Sequence, residues 1–505
     1  MKKIKTIISA AVLLAVTSAL HAETKISATP TGKGTPKYVF VFVGDGMSYP
    51  QIQSAAYYAG KDAGGIVDVV KNSENPGDSP EMKALSFYQF PIAGSASTYD
   101  ATSFAPDSAS TATSIFTGYK THSSSINVDI TKKIKYRTIA EQLRDQKKWK
   151  IGVISTVNLN HATPAATYAH QASRKSNYPI GLELVESNFD YFAGGALMEP
   201  QDKNKDKTSI YELATNAGYK VCFNQKSASN LENGDKGIII AQTLADSDSM
   251  SYDNDRKDGE WSLRDYVRKG IEVLDNKTGF FMMVEGGKVD WACHANDARS
   301  SIADTLALSE AVEEAIAFYN KHPKETLILV TADHETGGLT IGYAGTDYNL
   351  FFRTLDGQKI SYAKFDSDYV SAYKKNGTSF TSVMADVEKL FGLKMPGSNG
   401  SDKNGGLVLT DYELSRIKTA YEKTIKNDNT RSQQEYDLYG TYEPLRITIT
   451  HVLNAKSGLG WTSNSHTGLP VPVFALGAGQ EEFKGFYDNT EIYNKMAKLT
   501  KVVKD

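Results

Sequence analysis

The sequence contains very few cysteines. Cys222 and Cys293 are the only two in 505 residues, which excludes a disulfide-stabilised scaffold and a metal cluster held by thiolates. A chain of this length can bury a large core, so it does not need cross-links for stability. We expect both thiols to stay unpaired, because Cys222 lies in a strand-like segment and Cys293 lies among metal-binding residue types.

Neither sign of charge is in excess. The chain has 56 Lys and Arg residues against 59 Asp and Glu residues, a net charge of −3. This balance excludes a broad basic surface for nucleic acid and a long acidic tail. The 40 glycines and 15 prolines are close to average usage, which excludes collagen-like and low-complexity proteins.

Long apolar runs are absent except near the N-terminus. Three lysines among the first five residues precede an apolar run over residues 7–20, and cleavage after Ala19 or Ala22 fits the small residues there. This pattern predicts a secretory signal peptide, residues 1–22. The alternative is a short membrane anchor, but the run is shorter than the roughly 20 residues that a membrane span needs. We expect a periplasmic or secreted protein without a membrane anchor.

Strand-like and helical segments alternate along most of the chain. The first strand-like run, KYVFVFV at residues 37–43, is apolar and β-branched, as buried parallel strands are. Similar runs lie at 150–157, 279–284, 326–331 and 471–476, and helical patterns lie at 136–149 and near 300–320. This alternation predicts an α/β fold with a mostly parallel central sheet and helices on both faces.

One long segment breaks this alternation. Residues 344–460 are rich in Gly, Ser, Asn, Asp and Tyr and show only irregular periodicity, so we expect a large irregular insertion. The predicted organisation is a signal peptide (1–22), the first part of a catalytic α/β domain (23–343), the insertion (344–460) and the C-terminal part of the catalytic domain (461–505).

Acidic residues and a histidine follow three of the predicted strands. Asp45 follows the first strand, Glu285 ends another with Asp290 just beyond, and Asp333 and His334 end a third. A single Asp in such a place is usually a helix cap or a turn residue. Three strand ends would bring several carboxylates into one crevice, where bound cations would offset their repulsion.

The residue types in this crevice favour zinc. Asp290 and His294 are four residues apart and so share one face of a helical turn, and imidazole and carboxylate are both zinc ligands. His466, in the sequence TSNSHTG, would ordinarily be a surface histidine, but it supplies a ligand that such a site lacks. The remaining mature-chain histidines, other than His161, have no comparable neighbours, and we treat them as ordinary: His122, His170, His322 and His451.

A candidate nucleophile begins the segment PDSASTATSIFTG at residues 106–118. Ser108 stands at a predicted helix start, where it is either an N-cap or a hydroxyl beside free N–H groups that attract an anion. Near metal ions such a hydroxyl could attack phosphorus. Thr163 offers a hydroxyl suited to Mg²⁺. Arg174 could clamp phosphate oxygens, although alone it would be an ordinary surface arginine.

Together these segments resemble the alkaline phosphatases. The motifs VGDGM, PDSASTATSIFTG, HATPAATYAHQASRK, VEGGKVDWACH, TADHETGG and SNSHTG follow the family's order from about residue 37 to 480. The resemblance implies two Zn²⁺, one Mg²⁺, a phosphoserine at Ser108 and phosphate binding by Arg174. It further implies three ligand sets: Asp290, His294 and His466 for the first zinc; Asp45, Asp333 and His334, with Ser108, for the second; and Asp45, Thr163 and Glu285 for magnesium.

Two positions differ from the best-known enterobacterial pattern. His161 stands where that form has Asp, and Trp291 stands where it has Lys. We expect His161 to hydrogen-bond a magnesium-bound water, and Trp291 to weaken product binding because it removes a cation. The pairing and the insertion are similar to a marine bacterial subgroup, in which the insertion forms a crown loop that clasps the partner of a homodimer.

The sequence therefore predicts an exported alkaline phosphatase that hydrolyses many phosphate monoesters. The main alternative is a phosphodiesterase or nucleotide pyrophosphatase of the same superfamily, which usually has a Thr nucleophile and lacks the third-metal residues. A sulfatase would need x-Pro-x-Arg after the nucleophile, and Ala-Ser-Thr-Ala follows Ser108. An exported zinc-binding or adhesion protein with an inactive enzyme fold is disfavoured by the intact Ser108 and Arg174.

Overall fold

The computed structural model describes residues 24–63, 67–71 and 80–504. The predicted signal peptide at residues 1–22 lies outside the described residues. Sixteen strands are found in the described part of the chain: β1 (Tyr38–Gly44), β2 (Asp68–Val69), β3 (Ile92–Ser97), β4 (Lys150–Asn158), β5 (Tyr191–Gly195), β6 (Lys220–Cys222), β7 (Gly237–Ile240), β8 (Phe280–Gly286), β9 (Thr326–Ala332), β10 (Glu335–Thr336), β11 (Thr340–Ile341), β12 (Leu350–Phe351), β13 (Leu459–Gly460), β14 (His466–Thr467), β15 (Val471–Gly477) and β16 (Phe486–Asp488).

Helices occupy most of the connections between these strands. The α-helices among the described residues are α1 (Tyr49–Ala59), α2 (Ser108–Thr117), α3 (Ile139–Gln142), α4 (Ala162–Ala165), α5 (Asn177–Glu186), α6 (Ile210–Asn216), α7 (Gln225–Ser229), α8 (Leu263–Leu274), α9 (Lys288–His294), α10 (Ala298–Lys321), α11 (Tyr362–Phe365), α12 (Ser371–Asn376), α13 (Phe380–Phe391), α14 (Asp411–Ile425), α15 (Gln433–Tyr439), α16 (Pro444–Ser457) and α17 (Thr490–Thr500).

Ten of the strands form one large sheet in the order β16-β3-β15-β9-β1-β8-β4-β5-β7-β6. Nine of them run in the same direction, and β15 is antiparallel to both of its neighbours, β3 and β9. All seven residues of β1 are buried, as expected of a central strand that is covered on both faces. The predicted α/β fold with a mostly parallel sheet is confirmed.

The register of the central strands determines where the candidate site lies. In β1 and its two neighbours, Gly44 stands opposite Gly286 of β8 and opposite Ala332 of β9. The three strands therefore end at the same level. Asp45 and Asp333 follow two of these ends directly, and Glu285 is the penultimate residue of β8, so the three carboxylates meet at one edge.

Most predicted elements lie within two residues of the observed ones. The exception is the helical pattern at 136–149, which forms only the short α3 and a π-helical turn, Leu143–Lys147. Lys148 ends this turn with a left-handed φ of 60°. The sequence also did not indicate that β15 runs opposite to the other strands.

Residues 344–460 are more regular than we expected, because α11–α16 lie within them. The signals were present in the sequence: Ser379 and Thr410 cap helices, and Val383, Val387 and Leu390 lie buried on one face of α13. The domain boundaries at 343 and 460 remain a prediction.

Two further expectations concern thiols and membranes. Cys222 and Cys293 are both free and buried, as expected. In the described ranges, none of the helices has both the length and the apolar character needed to cross a bilayer.

Candidate metal centre and active site

Four carboxylates are buried together at the carboxyl edge of the sheet: Asp45, Glu285, Asp290 and Asp333. Burial raises the pKa of Asp45 well above its ordinary value, and Asp333 raises it further. Burial likewise raises the pKa of Asp333 to about 8 and that of Glu285 to about 7. Carboxyl groups packed in this way hold their charge poorly in the absence of a cation.

Asp290 behaves differently because histidines surround it. Burial opposes its ionisation, but His294, and then His466 and His334, outweigh burial and hold the pKa of Asp290 well below its usual range. Its carboxylate oxygens lie 3.3 Å from Nε2 of His294 and 3.6 Å from Nε2 of His466.

The possible ligand atoms form three overlapping groups, and within each group all atoms lie within 4.8 Å of one another. The groups are Asp290, His334 and His466; Asp45, Asp333 and His334; and Asp45, His161 and Glu285. The second group is the predicted ligand set of the second zinc. The third places His161 beside Asp45 and Glu285, two of the predicted magnesium ligands, and its expected hydrogen bond to a magnesium-bound water remains a prediction.

His294 and His466 are held with their Nε2 atoms 3.0 Å apart. Nδ1 of His294 lies 2.6 Å from the carbonyl oxygen of Asn464, and Nδ1 of His466 lies 2.5 Å from that of Pro106. A carbonyl oxygen only accepts hydrogen bonds, so each Nδ1 carries a proton. Burial lowers the pKa of His294, but Asp290 outweighs burial and raises it to about 9, so without a cation Nε2–H of His294 can donate to His466 or to Asp290. With a cation bound, both rings are neutral and both Nε2 atoms present lone pairs to it.

Ser108 is the first residue of α2 and not its cap. The N-cap is Asp107, whose side chain accepts from the backbone N–H of Ser110. The Ser108 hydroxyl lies instead 3.2 Å from Nε2 of His334 and 3.5 Å from Oδ1 of Asp45. The N-cap alternative for Ser108 is therefore wrong, and its role as the nucleophile remains a prediction.

The guanidinium of Arg174 forms hydrogen bonds to two residues. Nη1 donates to Oδ2 of Asp107 over 3.0 Å, and Nη2 donates to Nε2 of His161, also over 3.0 Å. Burial and then the charge of Arg174 lower the pKa of His161 to about 3, so this imidazole is neutral and able to accept. Asp107 and His161 thus fix the orientation of the guanidinium, and Asp107 immediately precedes Ser108 in the chain.

Asp45 also lies close to Thr163 and Glu285, the other two predicted magnesium residues. Oγ1 of Thr163 lies 3.4 Å from Oδ2 of Asp45. Glu285 accepts a short hydrogen bond from Ser155 through Oε2, whereas its Oε1 is buried without a hydrogen-bond partner. A hard cation among these oxygens would satisfy that orphaned atom.

A model of the family described as "Alkaline phosphatase" matches residues 36–502 of the chain. The chain belongs to the alkaline phosphatase family. It is 30% identical over 495 residues to alkaline phosphatase 4 of Bacillus subtilis, which covers 96% of this chain and 93% of that protein. The family assignment shows a phosphomonoester hydrolase, and metal dependence is a property of this family.

Solved alkaline phosphatases share the fold. A cold-active alkaline phosphatase from Shewanella sp. superposes with a TM-score of 0.72 and 26% identity, covering 92% of this chain and 99% of that one. The alkaline phosphatase of Thermus thermophilus gives a TM-score of 0.73 over 95% and 94% of the two chains, with 21% identity. The second comparison supports the fold alone.

Trp291 contacts His161 on one side and a lysine on another. The ring stands edge-to-face with His161, with centroids 5.8 Å apart. On another side Nζ of Lys288 lies 4.7 Å from the ring centroid, and it donates to Asp246 over 2.6 Å. The buried Lys288 was not singled out in the sequence, because its partners lie in a distant loop.

Sequence reasoning also missed residues that form hydrogen bonds around the alkaline phosphatase site. Asp107 was visible only as part of a helix start, and nothing local linked it to Arg174. Asn296 and Asn464 gave no signal as single polar residues. His451 had no acidic neighbour in sequence and was treated as ordinary, yet Nε2 of His451 lies 2.8 Å from Oδ1 of Asn296.

Proposed function

We propose that this enzyme hydrolyses phosphate monoesters through a phosphoserine on Ser108, supported by two Zn²⁺ and one Mg²⁺. The observation that carries the proposal is the 3.0 Å approach of Nε2 of His294 and Nε2 of His466. Both Nδ1–H groups donate to carbonyl oxygens, so the two Nε2 atoms can meet at this distance around a cation or through a proton on His294. Burial lowers the pKa of His294, but Asp290 raises it to about 9. A zinc ion is the ligand that such a pair of imidazoles fits.

The proposed ligands divide among three ions. The mixed nitrogen and oxygen donors suit zinc, and the set that contains only oxygen suits magnesium. The proposed sets are Asp290, His294 and His466 for the first zinc; Asp45, Asp333 and His334, with Ser108, for the second; and Asp45, Thr163 and Glu285 for magnesium. His334 also lies within reach of the first set, and His161 within reach of the third.

The bound metal ions would supply positive charge that favours the ionised Ser108 hydroxyl and screens the phosphoryl group. The residues of the chain do the rest. Ser108 attacks phosphorus, the ester P–O bond breaks, and the alcohol leaves with a proton. In the second step water attacks phosphorus and loses a proton, the P–O bond to Ser108 breaks, the Ser108 oxygen takes up a proton, and inorganic phosphate leaves.

Arg174 orients the phosphoryl group in both steps. Its fork of N–H donors matches two phosphoryl oxygens, and Asp107 and His161 fix the plane of the guanidinium. The start of α2 adds backbone N–H groups near Ser108, which favour an anion. Because these groups recognise phosphate alone, we expect the alcohol part of the substrate to vary widely.

Export and dimerisation belong to the same proposal. The N-terminal lysines and the apolar run at residues 7–20 support a cleaved signal peptide and a periplasmic or secreted enzyme. The likeness of the 344–460 insertion to the crown loop of a marine bacterial subgroup supports a homodimer. Size-exclusion chromatography with light scattering tests the dimer directly, and a monomer would contradict it.

A comparison of two substrates tests the reaction. The purified enzyme should hydrolyse an aryl phosphate far faster than a bis-aryl phosphate, and mass spectrometry should find two zinc ions and one magnesium ion per chain. Faster cleavage of the diester would favour the phosphodiesterase alternative. A fully active protein without zinc would contradict the proposed metal set.

A further inference from the structure

Asn296 lies two residues beyond the end of α9, the helix that carries Asp290 and His294. It is 2% exposed and has a left-handed φ of 48°, a conformation that Asn tolerates better than most residues. Its backbone N–H donates to the carbonyl oxygen of Cys293 over 2.9 Å. The residue is therefore fixed in the turn that follows the metal-binding helix.

The side-chain amide of Asn296 makes four hydrogen bonds. Nδ2 lies 2.9 Å from the carbonyl oxygens of both Cys293 and Ser463. Since carbonyl oxygens accept only, this end of the amide is the NH₂ group and Oδ1 is the acceptor. Oδ1 lies 3.3 Å from Nδ2 of Asn464 and 2.8 Å from Nε2 of His451.

These bonds connect the two segments that carry His294 and His466. Ser463 and Asn464 lie in the loop that leads to His466, and Asn464 is bonded twice to His294. Its Nδ2 donates to the carbonyl oxygen of His294 over 3.0 Å, and its own carbonyl accepts Nδ1–H of His294 over 2.6 Å. The position of this loop therefore sets both the tautomer and the orientation of His294.

Two residues of helix α16, which lies within residues 344–460, form hydrogen bonds to Asn296. Oδ1 of Asn296 needs a donor, so Nε2 of His451 carries the proton. Burial lowers the pKa of His451 to about 4, so the ring is neutral near physiological pH. Asn454, one turn further along α16, donates to the backbone oxygen of Asn296 over 2.7 Å.

We propose that Asn296 and His451 are positioning residues for the first zinc site, through which α16 sets the spacing of His294 and His466. The inference rests on the zinc assignment made under the proposed function. Neither residue belongs to the proposed ligand sets. Both act through Asn464 and the neighbouring backbone, as the outer hydrogen bonds of metal-binding histidines commonly do.

Zinc affinity measured by chelator competition tests this inference without an activity assay. His451→Leu should weaken zinc binding by about tenfold or more, the range typical of lost outer-shell hydrogen bonds. His451→Gln, whose side-chain amide offers an N–H donor, should recover most of that loss. Thr448→Val is the matched control, because the buried hydroxyl of Thr448 bonds only within α16, to Pro444.

Magnesium measured in the same samples separates positioning from general damage. The magnesium residues Asp45, Thr163 and Glu285 lie outside the hydrogen-bonded network, so magnesium affinity should be unchanged in His451→Leu. Equal losses of zinc and magnesium, or zinc affinity equal to the wild type, would overturn the inference. If His451→Leu does not fold, Asn296→Asp is measured instead, with the same expectation, because it removes the donor to Ser463. A wild-type chain that binds no zinc would refute the proposed function itself.

Discussion

His294 and His466 meet at a distance of 3.0 Å between their Nε2 atoms, and each donates its Nδ1–H to a backbone carbonyl oxygen. His294 belongs to α9 and His466 to β14, so two separate parts of the chain supply the two imidazoles. The carbonyl oxygens of Asn464 and Pro106 hold a proton on each Nδ1, so a bound cation would meet two converging Nε2 lone pairs. This arrangement is the strongest physical argument for a metal ion at the site.

Replacement of Ser108 by Ala should abolish the phosphoenzyme. The substitution removes the hydroxyl beside His334 and Asp45, and kcat should fall on the order of 10³-fold or more. Acid quenching with labelled substrate measures the trapped phosphate. Ser114→Ala is the control, because that buried hydroxyl bonds within the same helix to Ser110. Label still found on the Ser108→Ala protein would refute the assignment of the nucleophile.

Loss of Arg174 should weaken phosphate binding. Arg174→Ala removes a charge-assisted pair of donors, worth about 1–3 kcal/mol, and KM and the inhibition constant of phosphate should both rise. Steady-state kinetics measure both. Arg268→Ala is the control, since that arginine pairs with Glu314 and Asp265 instead. An unchanged KM and kcat in Arg174→Ala would exclude Arg174 from the site.

A cation in place of Trp291 should tighten the binding of inorganic phosphate. The Trp291 ring packs edge-to-face against His161, and His161 accepts a hydrogen bond from Arg174. Trp291→Lys therefore brings positive charge towards the phosphate that Arg174 is proposed to bind. Competitive inhibition by phosphate is the measurement, with Trp291→Phe as the uncharged control. Weaker inhibition in Trp291→Lys than in Trp291→Phe would contradict this electrostatic argument.

Metal removal should destabilise the protein more strongly as pH rises. Without cations, the pKa of Asp333 is raised from 3.8 to about 8 and that of Glu285 from 4.5 to about 7. A carboxyl group whose pKa is raised by folding contributes its full stability below its unfolded-state pKa. That contribution is lost as pH rises through its folded-state pKa. Bound metal ions favour the ionised form and remove this loss.

The measurement is the difference in melting temperature between metal-loaded and chelated protein. We expect this difference to grow between about pH 5 and about pH 8. A difference that stays constant, or that shrinks, would show that these carboxylates do not bind the metals.

Local sequence patterns predicted the strands and helices whose apolar residues follow a clear spacing. The apolar run of β1 and the long periodic stripe of α10 were both found, since burial on two faces or on one stripe leaves a direct trace in composition. The antiparallel direction of β15 was not predicted, because the apolar pattern of a strand is the same whichever way the strand runs in the sheet. The helices of residues 344–460 were overlooked because their caps and apolar faces were hidden among polar and aromatic residues.

The sequence by itself determined the chemistry available to this protein: carboxylates and imidazoles at strand ends, a serine at a helix start and an arginine for an anion. Only the tertiary structure decided how these groups act together. It set Asp107 and His161 on either side of Arg174, turned His294 and His466 towards one point, and brought His451 to Asn296. Strand register and helix packing fix these distances, and they join residues far apart in the chain, beyond the reach of any local pattern.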